Sequence, residues 1–318
     1  MWRPSITSIK KQRQKAKIDL LCSFFDKTKQ AYYKQLKTLK KNEVKEEVIL
    51  GLVQKKREIW KRGSGRNLHK SLEVEFNNHG IKIGRDKFFD FLRTNKLLVR
   101  PKRFRAKTTS SYHHFKKFGY LIKDKIPKRA NAIWVSDITY IWLRRKRIFC
   151  YLSLITDLYS RKIVGYHVHP DLSTDGCIEA LQMALSQKEI LEPGKYQKLI
   201  HHSDRGVQYC SHAYVKLLKA NKIKISMTQT GDPLENAVAE RINKTIKEEF
   251  TNDRQMNFSS VKKAKEGIEK IVTFYNQERP HRSINWDTPT KAHYKTGLLK
   301  RQWKTYYKNN SCKLLTQD

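Results

Sequence analysis

Acidic residues are scarce in this chain. Its 318 residues hold 30 Asp and Glu against 67 Lys and Arg, a formal charge of +37. That deficit argues against a basic partner and for a polyanion, because each phosphate neutralised by a lysine or arginine releases condensed counterions. Cysteine is sparse as well: Cys22, Cys150, Cys177, Cys210 and Cys312 are scattered, without CxxC spacing. Such a set excludes a disulfide framework and a zinc knuckle and fits a reducing, intracellular setting. No apolar run approaches the roughly 20 residues a membrane span needs. The basic start Met1-Trp-Arg-Pro-Ser5 leads into no apolar stretch of signal-peptide type.

The charge is uneven. Residues 1–130 carry 36 Lys and Arg against 11 Asp and Glu, whereas residues 131–318 carry 31 against 19. The first part is therefore the main electrostatic grip. Residues 1–43 read as a basic segment with a short helix-turn-helix candidate at 18–37, in which Leu20, Leu21, Phe24 and Phe25 form one apolar face and Ala31, Tyr32 and Leu36 continue at helical spacing. Residues 44–98 read as a helical helix-turn-helix domain. Val44–Lys61 forms one helix, which Gly63-Ser-Gly65 breaks. Leu68, Leu72 and Phe76 line the next, Asn77-Asn-His-Gly80 turns, and Phe88, Phe89 and Leu92 anchor a last helix whose exposed start carries Arg85 and Lys87. A helix of that kind enters a major groove while basic neighbours hold phosphates. Residues 99–130 form a basic linker in which Arg103 and Arg105, within Arg100-Pro-Lys-Arg-Phe-Arg105, are expected to track phosphates.

From residue 131 the pattern turns to strands. Ile133–Trp142, Phe149–Asp157 and Lys162–Val168 are successive β-type runs and predict a meander. Helix, strand, helix, strand and two helices follow: Thr174–Gln187, Leu199–His202, His212–Lys222, Ile223–Thr228, Asn236–Phe250 and Val261–Tyr275. Three antiparallel strands followed by alternating helix and strand is the order of an α/β ribonuclease-H-like core, a mixed five-stranded sheet with flanking helices. The expected core spans 131–278, and 279–318 is a basic extension.

Against this basic background three carboxylates stand out. Asp137 lies inside the first strand, Asp204 ends the fourth, and Glu240 lies on a late helix with 35 residues between it and Asp204. The first and fourth strands are neighbours in such a sheet, so Asp137 and Asp204 can meet. Hard ions such as Mg²⁺ take oxygen ligands, and two of them about 4 Å apart clamp the attacking and leaving oxygens of a phosphodiester. On the late helix Asn236 is expected to cap, and Val238, Ile242 and Ile246 form the apolar stripe. Glu240 is off that stripe, with Lys244 and Lys247 following on its own face. Taken singly, a strand-end aspartate is an ordinary turn former and a Glu–Lys pair an ordinary solvated pair. The trio together points to metal-dependent phosphoryl transfer.

The motifs sharpen this. Trp134-Val-Ser-Asp-Ile-Thr-Tyr140, Asp157-Leu-Tyr-Ser-Arg-Lys-Ile-Val-Gly165 and His201-His-Ser-Asp-Arg-Gly-Val-Gln-Tyr209 come first. Ser226-Met-Thr-Gln-Thr-Gly-Asp-Pro-Leu-Glu-Asn-Ala237, Glu240-Arg-Ile-Asn-Lys-Thr-Ile-Lys247, Tyr275-Asn-Gln-Glu-Arg-Pro-His281 and Thr288-Pro289 follow in order. The chain thereby resembles the OrfB-type transposases of the large "insertion-sequence three" family, whose catalytic core is of the retroviral-integrase DDE type. The resemblance implies Asp137, Asp204 and Glu240 as metal-binding catalytic residues, with two Mg²⁺ or Mn²⁺ ions as cofactors. It implies transposon-end and target DNA as substrates, a homodimer or larger synaptic complex, an upstream OrfA-type partner, and a cytoplasmic, nucleoid-associated setting in a bacterium. Arg205, Lys244 and Lys247 are then expected to touch DNA. One departure is Val207, where the family carries a serine.

Other polar residues have quieter readings. Glu235 breaks the family spacing and is a decoy. Asp157 is expected to form a hairpin turn, and His202 either bonds near the site or is structural. His167 and His169 alternate on one strand face without metal companions, while Arg279 and His281 brace the late helix or touch DNA. Two other functions fit the composition: a DNA-binding regulator with a silent integrase-like core, and a ribonuclease-H-type nuclease.

Overall fold

Eleven residues from Ile133 to Leu143 make the central strand, β1. It pairs antiparallel with β2 (Ile148–Asp157), which pairs antiparallel with β3 (Ile163–His169). On its other side β1 pairs parallel with β4 (Ile200–Ser203), and β4 pairs parallel with β5 (Lys224–Met227). The order β3-β2-β1-β4-β5 is the mixed five-stranded ribonuclease-H-like sheet expected from the sequence. In the computed structural model the described residues are 17–99, 114–187, 199–229, 233–251 and 258–300. The expected phosphate contacts Arg103 and Arg105 lie outside them.

The chain divides into two compact units, one of residues up to 55 with 74–83, the other of 56–73 with residues from 84 onward. The first contains α1 (Ile18–Ser23) and most of α2 (Lys29–Ile59). Ile18, Cys22 and Tyr32 form its small core, with Leu21, Phe25 and Leu36 packed against it. The sequence predicts two helices separated near residue 40, whereas α2 runs unbroken for 31 residues. The physical reason is local: 37–50 contains no Gly or Pro, and its Lys, Leu and Glu residues are good helix formers. At the far end of this unit Gly80 takes φ +62°, a left-handed conformation that suits glycine, and ends the helical turn after Asn77.

In the second unit the expected helix over 67–76 begins as α3 (Gly65–Ser71), capped by Ser64 accepting from Asn67 N–H at 3.3 Å. It breaks at Leu72 before α4 (Glu73–Asn78), which crosses into the first unit. α5 (Arg85–Thr94) buries Phe88 and Leu92, and the ring of His69 from α3 sits 5.3 Å from that of Phe88.

Two helical layers flank the sheet. On one face α6 (Thr174–Leu185) lies close against β3: a Cβ on Gly165 would sit 2.1 Å from the carbonyl oxygen of Ala180, so only glycine admits this approach. α7 (Val207–Cys210) and α8 (His212–Ala220) continue after β4. Trp134, Ile155, Val164, Leu181, Tyr209, Tyr214 and Met227 belong to the resulting core. α9 (Ala237–Ile246) and α10 (Val261–Gln277) follow β5, and α11 (Pro289–His293) ends the described elements. No helix among the described residues is long and apolar enough to cross a membrane.

The late helix has the length its sequence suggests but changes character within it. α9 stops at Ile246 and the chain widens into a π-type turn, Lys247–Thr251. That turn serves a buried ion pair. Arg279 grips Glu249 with two parallel bonds, Nε to Oε2 at 2.8 Å and a terminal nitrogen to Oε1 at 2.7 Å. Trp60 Nε1 donates to the same Oε2 at 2.6 Å. The Arg279 guanidinium lies 5.9 Å from the Trp60 ring and 5.8 Å from that of Tyr275. Burial and the neighbouring Arg279 charge hold His281 far below the usual histidine range, so its neutral Nε2 accepts from Arg279 at 2.8 Å. Of the two roles expected for Arg279 and His281, bracing is the one these contacts make.

Candidate active site

Asp137 and Asp204 come together because their strands do. β1 and β4 run parallel in the register Val135 to His202, which places Asp137 two residues beyond the last pair on one strand and Asp204 two residues beyond it on the other. Asp137 is half-buried. Burial, and then the charge of Asp204, push its carboxyl up to about 7. Two donors oppose that shift: Asn243 Nδ2 to Oδ2 at 2.8 Å, and Ile138 N–H to Oδ1 at 2.8 Å. Glu240 adds the weakest of the effects that raise it.

Asp204 sits half-buried in the turn after β4, where Oδ1 accepts from Gly206 N–H at 2.9 Å. A Cβ at residue 206 would lie 3.0 Å from that oxygen. Glu240 is exposed on α9. Among the described residues no three His, Cys, Asp or Glu side chains are gathered closely enough to hold a metal ion. The structure thus joins two of the three predicted carboxylates and leaves the third nearby, on the surface of its helix.

The chemistry of the pair nonetheless fits a hard divalent cation. Its donors are all oxygens. Two carboxylates that repel each other in a desolvated setting gain most from a shared positive charge. The hydrogen bonds from Asn243, Ile138 and Gly206 fix both groups in place.

Two asparagines on the late helix carry jobs the sequence reading missed. Asn236, expected to cap α9, occupies the cap position but makes no capping side-chain bond. Its Nδ2 instead donates to the Ser136 carbonyl at 3.0 Å and ties the helix start to β1, beside Asp137. Asn243 lies inside the run Glu240–Lys247 with no role that the sequence alone assigns it. Its place three residues after Glu240, on the helix side that faces the sheet, is the signal that identifies it.

The basic residues separate. Lys247 is half-buried and feels the charge of Asp137, although burial lowers its pKa. Lys244 leans to Glu248 at 3.9 Å, one turn onward, because it lies between two glutamates and the later one is within reach. Arg205 is half-buried in the turn after Asp204. Arg85 and Lys87 are exposed at the start of α5, with Arg85 paired to Asp86 at 2.8 Å.

The remaining residues are structural. His202 Nε2 donates to the Glu235 carbonyl at 3.1 Å. Its Nδ1 meets Ser226 Oγ at 2.9 Å, and that oxygen accepts from Leu121 N–H. Burial takes His202 down to about 4 and His201 down to about 3, so both are neutral. Glu235 closes its own loop by accepting from Gln229 N–H at 2.6 Å. Asp157 is the turn former expected, but a buried one: Oδ1 accepts from both the N–H and the Oγ of Ser160 at 2.7 Å, and Oδ2 from Asn131 N–H at 2.8 Å.

Comparison with known proteins agrees with this architecture. Two family models described as integrase core domain match residues 127–233 and 221–289. The chain is 32% identical over 225 residues to the insertion element IS600 uncharacterized 31 kDa protein of Shigella sonnei, covering 69% of this chain and 78% of that one. It is 33% identical to the transposase for insertion sequence element IS904 of Lactococcus lactis, over 50% of this chain and 60% of the relative. With the transposase InsF for insertion sequence IS3A of Escherichia coli it shares 32% identity over 48% of this chain and 50% of the relative. The match thus spans most of the first relative, three-fifths of the second and half of the third. The chain belongs to the insertion-sequence-three transposases with an integrase core, a family of polynucleotidyl transferases.

Proposed function

We propose that this chain is a DNA transposase that cleaves the ends of an insertion sequence and joins them to target DNA through Asp137, Asp204 and Glu240. One observation carries the reading: the β1–β4 register sets the half-buried Asp137 against a second carboxylate, and its carboxyl is pushed up to about 7. A fold that only needed an inert platform gains nothing from this repulsion. Asp137 and Asp204 would hold both of two Mg²⁺ or Mn²⁺ ions, and Glu240, turning inward from the surface of α9, would complete the second. Bound there, the ions supply Lewis-acid stabilisation of the attacking and leaving oxygens.

The chain's own groups do the rest. Asn243 and the Ile138 N–H keep Asp137 oriented and favour its ionised form. Gly206 N–H does the same for one oxygen of Asp204. Water or a 3′-hydroxyl attacks the phosphodiester at the transposon end and breaks its P–O3′ bond, and the freed 3′-hydroxyl then attacks a target phosphodiester in line and displaces the target's own 3′-oxygen, which leaves as a hydroxyl. No tyrosine or serine of the chain acts as nucleophile, so no covalent protein–DNA intermediate forms. Lys247, Lys244 and Arg205 contact phosphates beside the site. Within a helical domain over 44–98, Arg85 and Lys87 grip DNA, and Arg103 and Arg105 in the 99–130 arm track its backbone. The core is taken as 131–278, between that arm and the 279–318 extension, with 1–43 as an added basic segment. Two copies, with or without an upstream OrfA-type product, hold the two ends.

Mg²⁺-dependent strand transfer with end-containing DNA tests this. Asp204→Asn should abolish it while leaving duplex binding close to that of the unmodified chain. Retained strand transfer in that variant overturns the proposal.

A further inference from the structure

Among the described residues, α6 covers one end of the sheet face it packs on. Gly165, Ser153 and Cys177 meet there: a Cβ on Gly165 would enter α6, and Ser153 Oγ lies 3.4 Å from Cys177 Sγ of that helix. Ser153 shares its face with Tyr151 and Phe149 on β2, and their partners across the ladder are Tyr140 and Trp142 on β1. At this other end the rings lie open. Tyr140 is 40% exposed, Trp142 44% and Phe149 48%. They form one contiguous cluster, with centroids 5.3 Å apart for Tyr140–Tyr151, 5.9 Å for Tyr140–Phe149 and 4.7 Å for Trp142–Phe149. Open aromatic surface of this kind marks an interaction site.

The hairpin that joins the two strands is Arg144-Arg145-Lys146-Arg147, and all four side chains are exposed. Among the described residues none of them makes an ion pair. A row of aromatic faces ending in a block of unpaired cations is the composition of a surface for unpaired bases on a phosphate backbone. Charge decides against the other occupants. A second copy would bring a formal charge of +37 to the same cations, and duplex DNA keeps its base faces stacked away from any platform.

We propose that the β1–β2 hairpin binds single-stranded DNA, with bases stacked on Tyr140, Trp142, Phe149 and Tyr151 and phosphates along Arg144–Arg147. The choice of DNA rests on the function proposed above; the stacking surface does not. Trp142 lies five residues along β1 from Asp137, about 17 Å at strand rise, and odd and even residues of a strand face opposite sides. The platform therefore holds an unpaired strand away from the carboxylate pair, as a site of its own.

The test uses the full chain carrying Asp204→Asn, without divalent metal, so that cleavage plays no part. Fluorescence anisotropy would follow a labelled thymidine homopolymer, a uridine homopolymer and a duplex of matched length. Trp142→Ala with Phe149→Ala should weaken thymidine-strand binding by about tenfold or more, given about 1–3 kcal/mol per stacked base, and leave duplex binding unchanged. Trp142→Phe should restore most of the loss. If the double alanine variant does not fold, Arg145→Ala with Lys146→Ala should lower the salt slope of single-strand binding by about 0.7 per charge. Unchanged single-strand affinity, or equal loss on the duplex, overturns the proposal. So does tighter binding of uridine, which would assign the surface to RNA. A dimer that dissociates in the alanine variant with strand affinity intact would assign it to a second copy. Failure of strand transfer in the metal-loaded, otherwise unmodified chain would count against the proposed function alone, since this binding requires no chemistry.

Discussion

Two carboxylates in the second unit, Asp137 and Glu249, meet opposite fates. Glu249 is clasped by Arg279 through two bonds and by Trp60 through a third. Asp137 is half-buried like Glu249, yet faces another carboxylate, and no arginine clasps it: Asn243 and one backbone N–H donate to it, and Lys247 reaches it only through its charge. A buried anion with a matching cation is a brace. A buried anion set against another anion is a cost that the fold retains, and such costs gather where a ligand of opposite charge is to be received. Composition alone would not separate them, because both are acidic residues in a strongly basic chain; the neighbours do.

The contrast can be broken from either side. The largest effect is expected at the repelling pair. Asp204→Asn removes the charge that raises Asp137, so strand transfer should disappear while the Asp137 carboxyl moves down toward the ordinary range, a change readable by carboxyl-resolved NMR titration. Next is the brace. Arg279→Ala leaves Glu249 buried without its cation and should cost about 3–5 kcal/mol of stability, measured by denaturant unfolding, whereas Arg279→Lys should lose less. Asn243→Ala comes third. It deletes a bond to the charged form of Asp137 worth about 1.5–3 kcal/mol, so the pH dependence of cleavage should move to higher pH by about one to two units, with little change in unfolding. Smallest is the effect at the surface of α5. Arg85→Ala or Lys87→Ala should each reduce the salt slope of duplex binding by about 1 without changing cleavage once DNA is bound.

The raised carboxyl also has a linkage consequence. Asp137 in the unfolded chain titrates near 3.9 and in the fold near 7. Between those values the folded state holds a proton that the unfolded state has lost, so this group's contribution to stability falls as pH rises through that window. A cation binding at Asp137 must displace the same proton, and its affinity should therefore climb with pH toward 7.

Much of this was legible in the sequence because it depends on local pattern. Alternating and β-branched runs located β1 to β5 within about two residues, and the element order implied that β1 and β4 are neighbours, which is what brings Asp137 to Asp204. Other features depended on contacts between distant residues and left no periodic trace. Glu249 falls within the helix expected over Asn236–Phe250, and nothing in its neighbourhood announces Arg279, 30 residues on, or Trp60, just past the end of α2 and far earlier in the chain. Asn236 has the composition of a cap, but the Ser136 carbonyl offers its amide a better partner. The break expected near residue 40 of α2 follows apolar spacing, which lapses there, whereas helix propensity does not. Exposure of Glu240 was not expected either: its position off the apolar stripe was plain, but whether that position faces the pair depends on how α9 rolls against the sheet.

The most direct measurement is calorimetric titration of Mn²⁺ into the full chain at neutral pH, repeated with Asp137→Asn, Asp204→Asn and Glu240→Gln. If the repelling pair is the cation site, binding should be lost in both aspartate variants and only weakened in the glutamate variant, with protons released on binding to the unmodified chain. Equal Mn²⁺ affinity in the unmodified chain and in Asp137→Asn would contradict it.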